Sequence, residues 1–237
     1  MCDRVCLCFS EAPLSEEEVR GARGSVYVRY LNNDGRFAVS MMDACYYEYL
    51  CCFTAALPVT FPCTQLHMRY AVLNHVSPGS EWSNYVCCQG YIPACCCFAP
   101  GECCEAEYPR TCMCLEAWCF PGLAVSSTRF LVMDHYSLQP DPCDNRLIRA
   151  NNCIQLLACV CEIAAHFDQN LRDLSQLIEV LADLVFLTTA GCMTAQVWHE
   201  MKFRTAPQVT ATADTYSAVA TTEATISAPL SVETIKR

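Results

Sequence analysis

Between Asp168 and Phe203, apolar side chains recur in a 3-4 rhythm at Leu171, Leu174, Ile178, Leu181 and Val185, continued by Thr188, Cys192 and Ala195. That spacing lines them up on one stripe of a helix, with Arg172, Asp173, Glu179 and Asp183 off it. The pattern predicts one long helix from near Asp168 or Asn170 to about Phe203. Its first half is amphipathic. Its second half loses its charges, which predicts a segment surrounded on several sides. Asp141-Pro142 reads as an N-cap followed by proline at the first helical position, opening a helix that runs to about Phe167. Pro121-Gly122 precedes another, from about Leu123 to His135. Thr64 to His75 reads as a helical stretch within 42–110, a region otherwise too rich in proline, aromatic residues and cysteine to assign.

Nearer the N-terminus, Ser15 and Glu18 have capping-box spacing, and Gly21 and Gly24 would end the short helix they start. Residues 25–41 alternate β-branched and aromatic side chains around Asp34-Gly35, which predicts a β-hairpin. From Thr205 the chain turns Thr/Ala/Ser-rich and cannot bury enough surface to offset its entropy, so 205–237 is expected to be a disordered tail. The expected fold is α+β. A hairpin-bearing region covers 1–86, a cysteine-rich centre and mainly helical C-terminal half cover 87–204, and the tail follows.

Charge narrows the function classes. The net charge is -10, Lys202 and Lys236 are the only lysines, and no basic cluster occurs, which argues against nucleic-acid binding by phosphate neutralisation. Gly-rich phosphate loops, G-x-S-x-G and H-E-x-x-H are absent, which removes the main support for NTPase, α/β-hydrolase and zincin readings. His135, between Asp134 and Tyr136, reads as a helix-end polar residue rather than an acid–base catalyst. The charge-free runs Leu50–Leu66, Leu184–Trp198 and Ala117–Thr128 are short or proline-interrupted, and each taken singly reads as buried core.

The cysteines carry the candidate chemistry. There are 22, and no two have C-x2-C spacing. They come as doublets, a triplet and C-x-C pairs, which argues against a zinc ribbon and a thioredoxin-type centre. The N-terminus lacks an apolar signal-peptide core and the chain has no N-x-S/T sequon. Both absences point to the reducing, cytosolic side and lower the weight of a disulfide framework. Cys at position 2 excludes N-myristoylation.

Cys114-Leu-Glu-Ala-Trp-Cys119-Phe-Pro-Gly-Leu123 resembles the core element of the PLAC8 (placenta-specific 8) family, with Gly122 where the family has a second cysteine. Tyr136-Ser-Leu138, Cys143-Asp-Asn145, Cys153-Ile-Gln155 and Cys159-x-Cys161 resemble its later part, so the likeness covers about 112–165. The resemblance implies a small, cysteine-rich, membrane-associated protein linked to metal tolerance, calcium influx or growth control, with no established enzymatic chemistry.

Besides disulfides, three readings of the thiols stand. A thiolate metal site, with zinc as the default ion, would draw on Cys112, Cys114, Cys119, Cys143, Cys153, Cys159 and Cys161 if the helix after Asp141 folds back on the cysteine loop. S-palmitoylation would use Cys51, Cys52, Cys95, Cys96 and Cys97, with Cys2, Cys6 and Cys8 as further acceptors. Plain packing is preferred singly for Cys45, Cys63, Cys153 and Cys192. Glu116 interrupts an apolar stretch; it reads as a surface carboxylate, or as an ion-site candidate if that stretch enters a membrane. The leading expectation is a non-enzymatic, membrane-associated, cysteine-rich protein that binds or helps move divalent metal. The alternative is a soluble intracellular structural protein of a larger assembly, an oligomer or a complex docked through the 171–200 helix, with its cysteines as core or structural zinc ligands.

Overall fold

In the computed structural model, which describes Tyr30 and residues 33–91 and 104–206, the chain is α+β and mostly helical. A short strand β1 (Gly35–Arg36) leads into α1 (Met41–Tyr47), α2 (Tyr49–Ala56) and α3 (Phe61–Val76). A tight turn at Cys87–Gly90 precedes α4 (Pro109–Cys119) and α5 (Pro121–Tyr136). Strand β2 (Leu138–Gln139), α6 (Pro142–Phe167) and α7 (Arg172–Thr205) complete the described chain. The three C-terminal helices lie where their caps and periodicity put them, and the Thr64–His75 stretch lies inside α3. The short helix expected after Ser15 and all but the first two residues of the tail fall outside the described residues.

The hairpin is where the structure departs from expectation. Its first arm, apart from Tyr30, lies outside the described residues. In the second arm only Gly35–Arg36 is strand, and it pairs in parallel with Leu138–Gln139. Asp34-Gly35 resembles a turn, but Gly35 is used for close approach instead. A Cβ there would stand 2.7 Å from the Ser137 carbonyl oxygen, the same atom that accepts a 3.0 Å bond from Gly35 N–H. Met41, expected in the strand, starts α1 because Ser40 caps it: the Ser40 hydroxyl accepts from Asp43 N–H at 3.2 Å.

Three buried clusters form the core. Met68 and Val72 of α3 meet Val132 and Met133 of α5 and Val197 and Met201 of α7. Met41 and Phe61 meet Val125, Ala190, Cys192 and Met193. Leu73 and Tyr85 meet Met113, Ala117 and Ala124.

Charged groups are buried among them. Arg69 of α3, fully enclosed, donates to Glu116 Oε1 at 2.9 Å, to Thr128 Oγ1 at 2.8 Å and to the Ala124 carbonyl at 3.0 Å. Glu116 also accepts from Tyr85 Oη at 2.9 Å and from Cys88 N–H at 2.8 Å. Those last bonds hold a strained turn, because Cys88 and Gln89 both have left-handed backbones, at φ 49° and 48°. A second buried pair, Arg129–Asp144 at 2.6 Å, joins α5 to α6.

A buried pair is costly to break from one side, since the partner is left as an uncompensated charge. Arg69→Met is therefore expected to lower the unfolding free energy by about 3–5 kcal/mol. Urea denaturation followed by circular dichroism checks this; a loss below about 1 kcal/mol, typical of a surface pair, would contradict it.

Candidate metal centre

The densest thiol cluster is assembled from three helices. Cys45 on α1 and Cys52 on α2 are seven residues apart, two helical turns across the kink at Glu48. The kink is anchored to α7: Glu48 Oε1 lies 2.6 Å from Lys202 Nζ and 3.3 Å from His199 Nδ1. Gly191 lets α7 approach α2 closely, since a Cβ there would stand 2.7 Å from the Cys52 carbonyl oxygen. The next residue, Cys192, consequently meets both thiols. The Cys45 and Cys192 sulfurs are 2.8 Å apart, and all three sulfurs lie within 4.8 Å of one another.

The wall of this site is apolar. Met41, Phe61, Ala190 and Met193 are buried in the same cluster, with Phe186 and Leu187 packed on it. The three thiols ionise unequally. Hydrogen bonds from Cys192 and then Cys45 stabilise charge on Cys52, holding its thiol down at about 3 against the opposing effect of burial. Cys45 moves the other way: its hydrogen bond to Cys192, its bond to Cys52 and burial all raise it. The arrangement is a thiolate cradled by thiols, and thiolate is the form that ligates metal. Three converging sulfurs suit a thiophilic cation.

A second group, Cys87, Cys88 and Glu116, has ligand-like proximity but unsuitable chemistry. Glu116 already accepts from Arg69 on Oε1 and from Tyr85 and Cys88 N–H on Oε2, while the one Ser127 hydroxyl proton lies closer to the Leu123 carbonyl, at 2.7 Å, than to Oε1, at 3.3 Å. Most of its lone-pair sites are thus taken, and the Arg69 guanidinium, 2.9 Å from Oε1, already supplies the positive charge that a metal would bring. Cys87 is kept protonated by its hydrogen bond to Cys88, then by burial, then by the Glu116 charge.

The seven cysteines expected as ligands are distributed differently. Cys112 and Cys114 are half-buried on α4, and Cys119 is exposed at its end. Cys143 is exposed in the first turn of α6, with Cys153, Cys159 and Cys161 farther along the same helix. Among the described residues none of the seven belongs to a three-ligand cluster. Cys112 lies 3.9 Å from Cys104, and with Cys87 and Cys119 these two line a cavity of about 180 Å3. Of the acylation candidates, Cys52 points into the thiol cluster, while half-buried Cys51 packs on the core and burial pushes its thiol up to about 12. Cys95, Cys96 and Cys97, like Cys2, Cys6 and Cys8, lie outside the described residues. Glu116 is neither a surface group nor an open ion ligand but the hub of the buried network. His135 sits in an aromatic group with His75 and Tyr136 at the end of α5.

Two helical stretches, Cys143–Phe167 and Gln169–Thr205, are long and apolar enough to cross a membrane by length and composition. No family model, no curated protein and no solved structure matches the chain.

The unequal ionisation has a direct readout. Iodoacetamide at about pH 5 is expected to alkylate Cys52 faster than exposed Cys63 or Cys159, because its thiolate persists where an ordinary thiol is protonated. Cys192→Ala removes the leading donor and should abolish that advantage. Peptide mass mapping checks both, and equal rates at Cys52 and Cys63 in the native chain would contradict the assignment.

Proposed function

We propose that this is a non-enzymatic, cysteine-rich, membrane-associated protein that binds a thiophilic metal through Cys45, Cys52 and Cys192. The convergence of those three sulfurs carries the metal part of the reading. The likeness of 112–165 to PLAC8 elements supports the same class.

The membrane part rests on the outward end of α6 and α7. Gln155 Nε2 donates to the Ala182 carbonyl at 2.7 Å, and Asp168 caps the turn by accepting from Asn170 N–H at 2.9 Å. The two helices thus form a hairpin. On the α7 arm, small residues are buried, at Ser175 and Ala182, and large ones face out. Leu156, Val160 and Ile163 on α6, and Leu174, Leu177 and Leu184 on α7, are all exposed by half or more. Exposed large apolar side chains in this number mark an interaction surface, with Asp173 the one carboxylate among the leucines of α7, and small residues between helices are the packing style of membrane hairpins. Arg172, Gln176, Glu179 and Asp183 gather on the opposite face of α7 at i, i+4, i+7 and i+11, so the hairpin is suited to lie in the interface with its leucines in the acyl layer. With a net charge of -10, apolar burial rather than attraction to anionic headgroups is the driving force.

The exposed carboxylates of the hairpin also favour a second reading, in which a partner protein or a second copy covers the leucines in water. Flotation separates the two. The protein is expected to float with phosphatidylcholine vesicles and to remain with them in high salt. Val160→Asp combined with Leu177→Asp should release it, since a carboxylate is strongly disfavoured in the acyl layer. A protein that stays at the bottom of the gradient, and whose oligomer dissociates with the same substitutions, would contradict the membrane reading and support the assembly.

A further inference from the structure

Cys45, Cys52 and Cys192 have no fourth thiol, imidazole or carboxylate within ligand distance among the described residues. Zinc in a structural site is almost always four-coordinate, and a three-residue zinc site takes water in its fourth position. Here the surrounding wall is Met41, Phe61, Ala190 and Met193, with Phe186 packed on it, and offers such a water little to bind. Two of those wall residues carry a different donor. Met41 precedes Cys45 by four residues on the same face of α1 and is completely buried, and Met193 follows Cys192 in the same cluster. Thiolate and thioether sulfur together are the ligand set that copper(I) accepts, while zinc draws on thiolate, imidazole and carboxylate.

We propose that the Cys45–Cys52–Cys192 site takes copper(I) in preference to zinc. This rests on the metal-binding reading above and names the ion for the same site. Binding forms copper–sulfur bonds and releases the remaining thiol protons to solvent. No electron is transferred, so the metal must arrive already as copper(I). The three cysteine sulfurs complete its coordination, and the buried apolar wall, with thioether sulfur at Met41 and Met193, leaves no place for the water that zinc would need.

The test uses the full-length protein without oxygen. Copper(I), buffered by bathocuproine disulfonate, and zinc, at matched free concentration, are added to separate samples. Thiols left free are labelled with N-ethylmaleimide and mapped by peptide mass. With copper(I), labelling of Cys45, Cys52 and Cys192 should fall at least about tenfold, as bound thiolates are withdrawn from reaction, while zinc leaves them labelled. X-ray absorption at the copper edge should show sulfur ligands alone. Cys192→Ser, or Cys45→Ser should that variant fold poorly, should restore labelling of the two remaining thiols; persistent protection would overturn the site. Protection by zinc equal to that by copper would overturn the preference and leave the metal site standing. Protection by neither metal would overturn both. Copper(I) protecting Cys104 and Cys112 but not the trio would place the site elsewhere and overturn the proposal.

Discussion

The architecture depends on carboxylates that are buried in order to satisfy backbone amides the helices do not. Where the chain leaves regular structure inside the core, its N–H groups have no ladder partner, and an unpaired one would cost about 1–3 kcal/mol. Glu200 of α7 accepts from Ala38 N–H at 2.7 Å, Asp144 of α6 from Met41 N–H at 3.0 Å, and Glu105 from Cys87 N–H at 3.1 Å. Glu116 does the same for Cys88. Gln196 completes the first strap by donating to the Val39 carbonyl at 3.0 Å. Each carboxylate is itself costly to bury, and Arg69 and Arg129 offset the two deepest.

The same straps position the thiols. Residues 38–41 are tied to α6 and α7 by Glu200, Gln196 and Asp144, so α1 starts at a fixed height along α7. Cys45, one turn into α1, then meets Cys192, one turn before Gln196. The glycine at 191 and the Glu48 contacts with His199 and Lys202 hold α2 to the same helix. Helix α7 therefore has two roles along its length. From Ala190 to Val197 every residue is buried, and this half organises the core. From Arg172 to Leu184 most large side chains face outward, and this half carries exposed apolar surface.

The helices are legible because local rules determine them: Pro121-Gly122 ahead of α5, Asp141 at the α6 N-cap with Pro142 at its first position, and a 3-4 seam through α7. The burial of that seam was only half legible. Leu171, Leu174 and Leu181 are exposed although periodicity reads them as the packed face, because the hairpin turns its small residues inward. The thiol cluster was hidden for a different reason. Cys45 and Cys192 are 147 residues apart, share no motif, and each taken singly looks like packing. The local density of cysteines lies on α4 and α6, yet among the described residues none of the cysteines on those helices joins a three-ligand group. Glu116 looked like a surface group because its arginine partner lies 47 residues upstream in another helix. Gly35 had the neighbours of a turn but serves a contact across the fold.

One thiol from each of α1, α2 and α7 meets at a single point. The most direct test treats the native protein, under reducing conditions and before any metal is added, with dibromobimane, which becomes fluorescent when it bridges two neighbouring thiols. Peptide mapping of the fluorescent product should recover Cys192 linked to Cys45 or to Cys52. If Cys192 is recovered unbridged while other cysteine pairs carry the label, α7 does not pack on α1 and α2 as described, and the account fails.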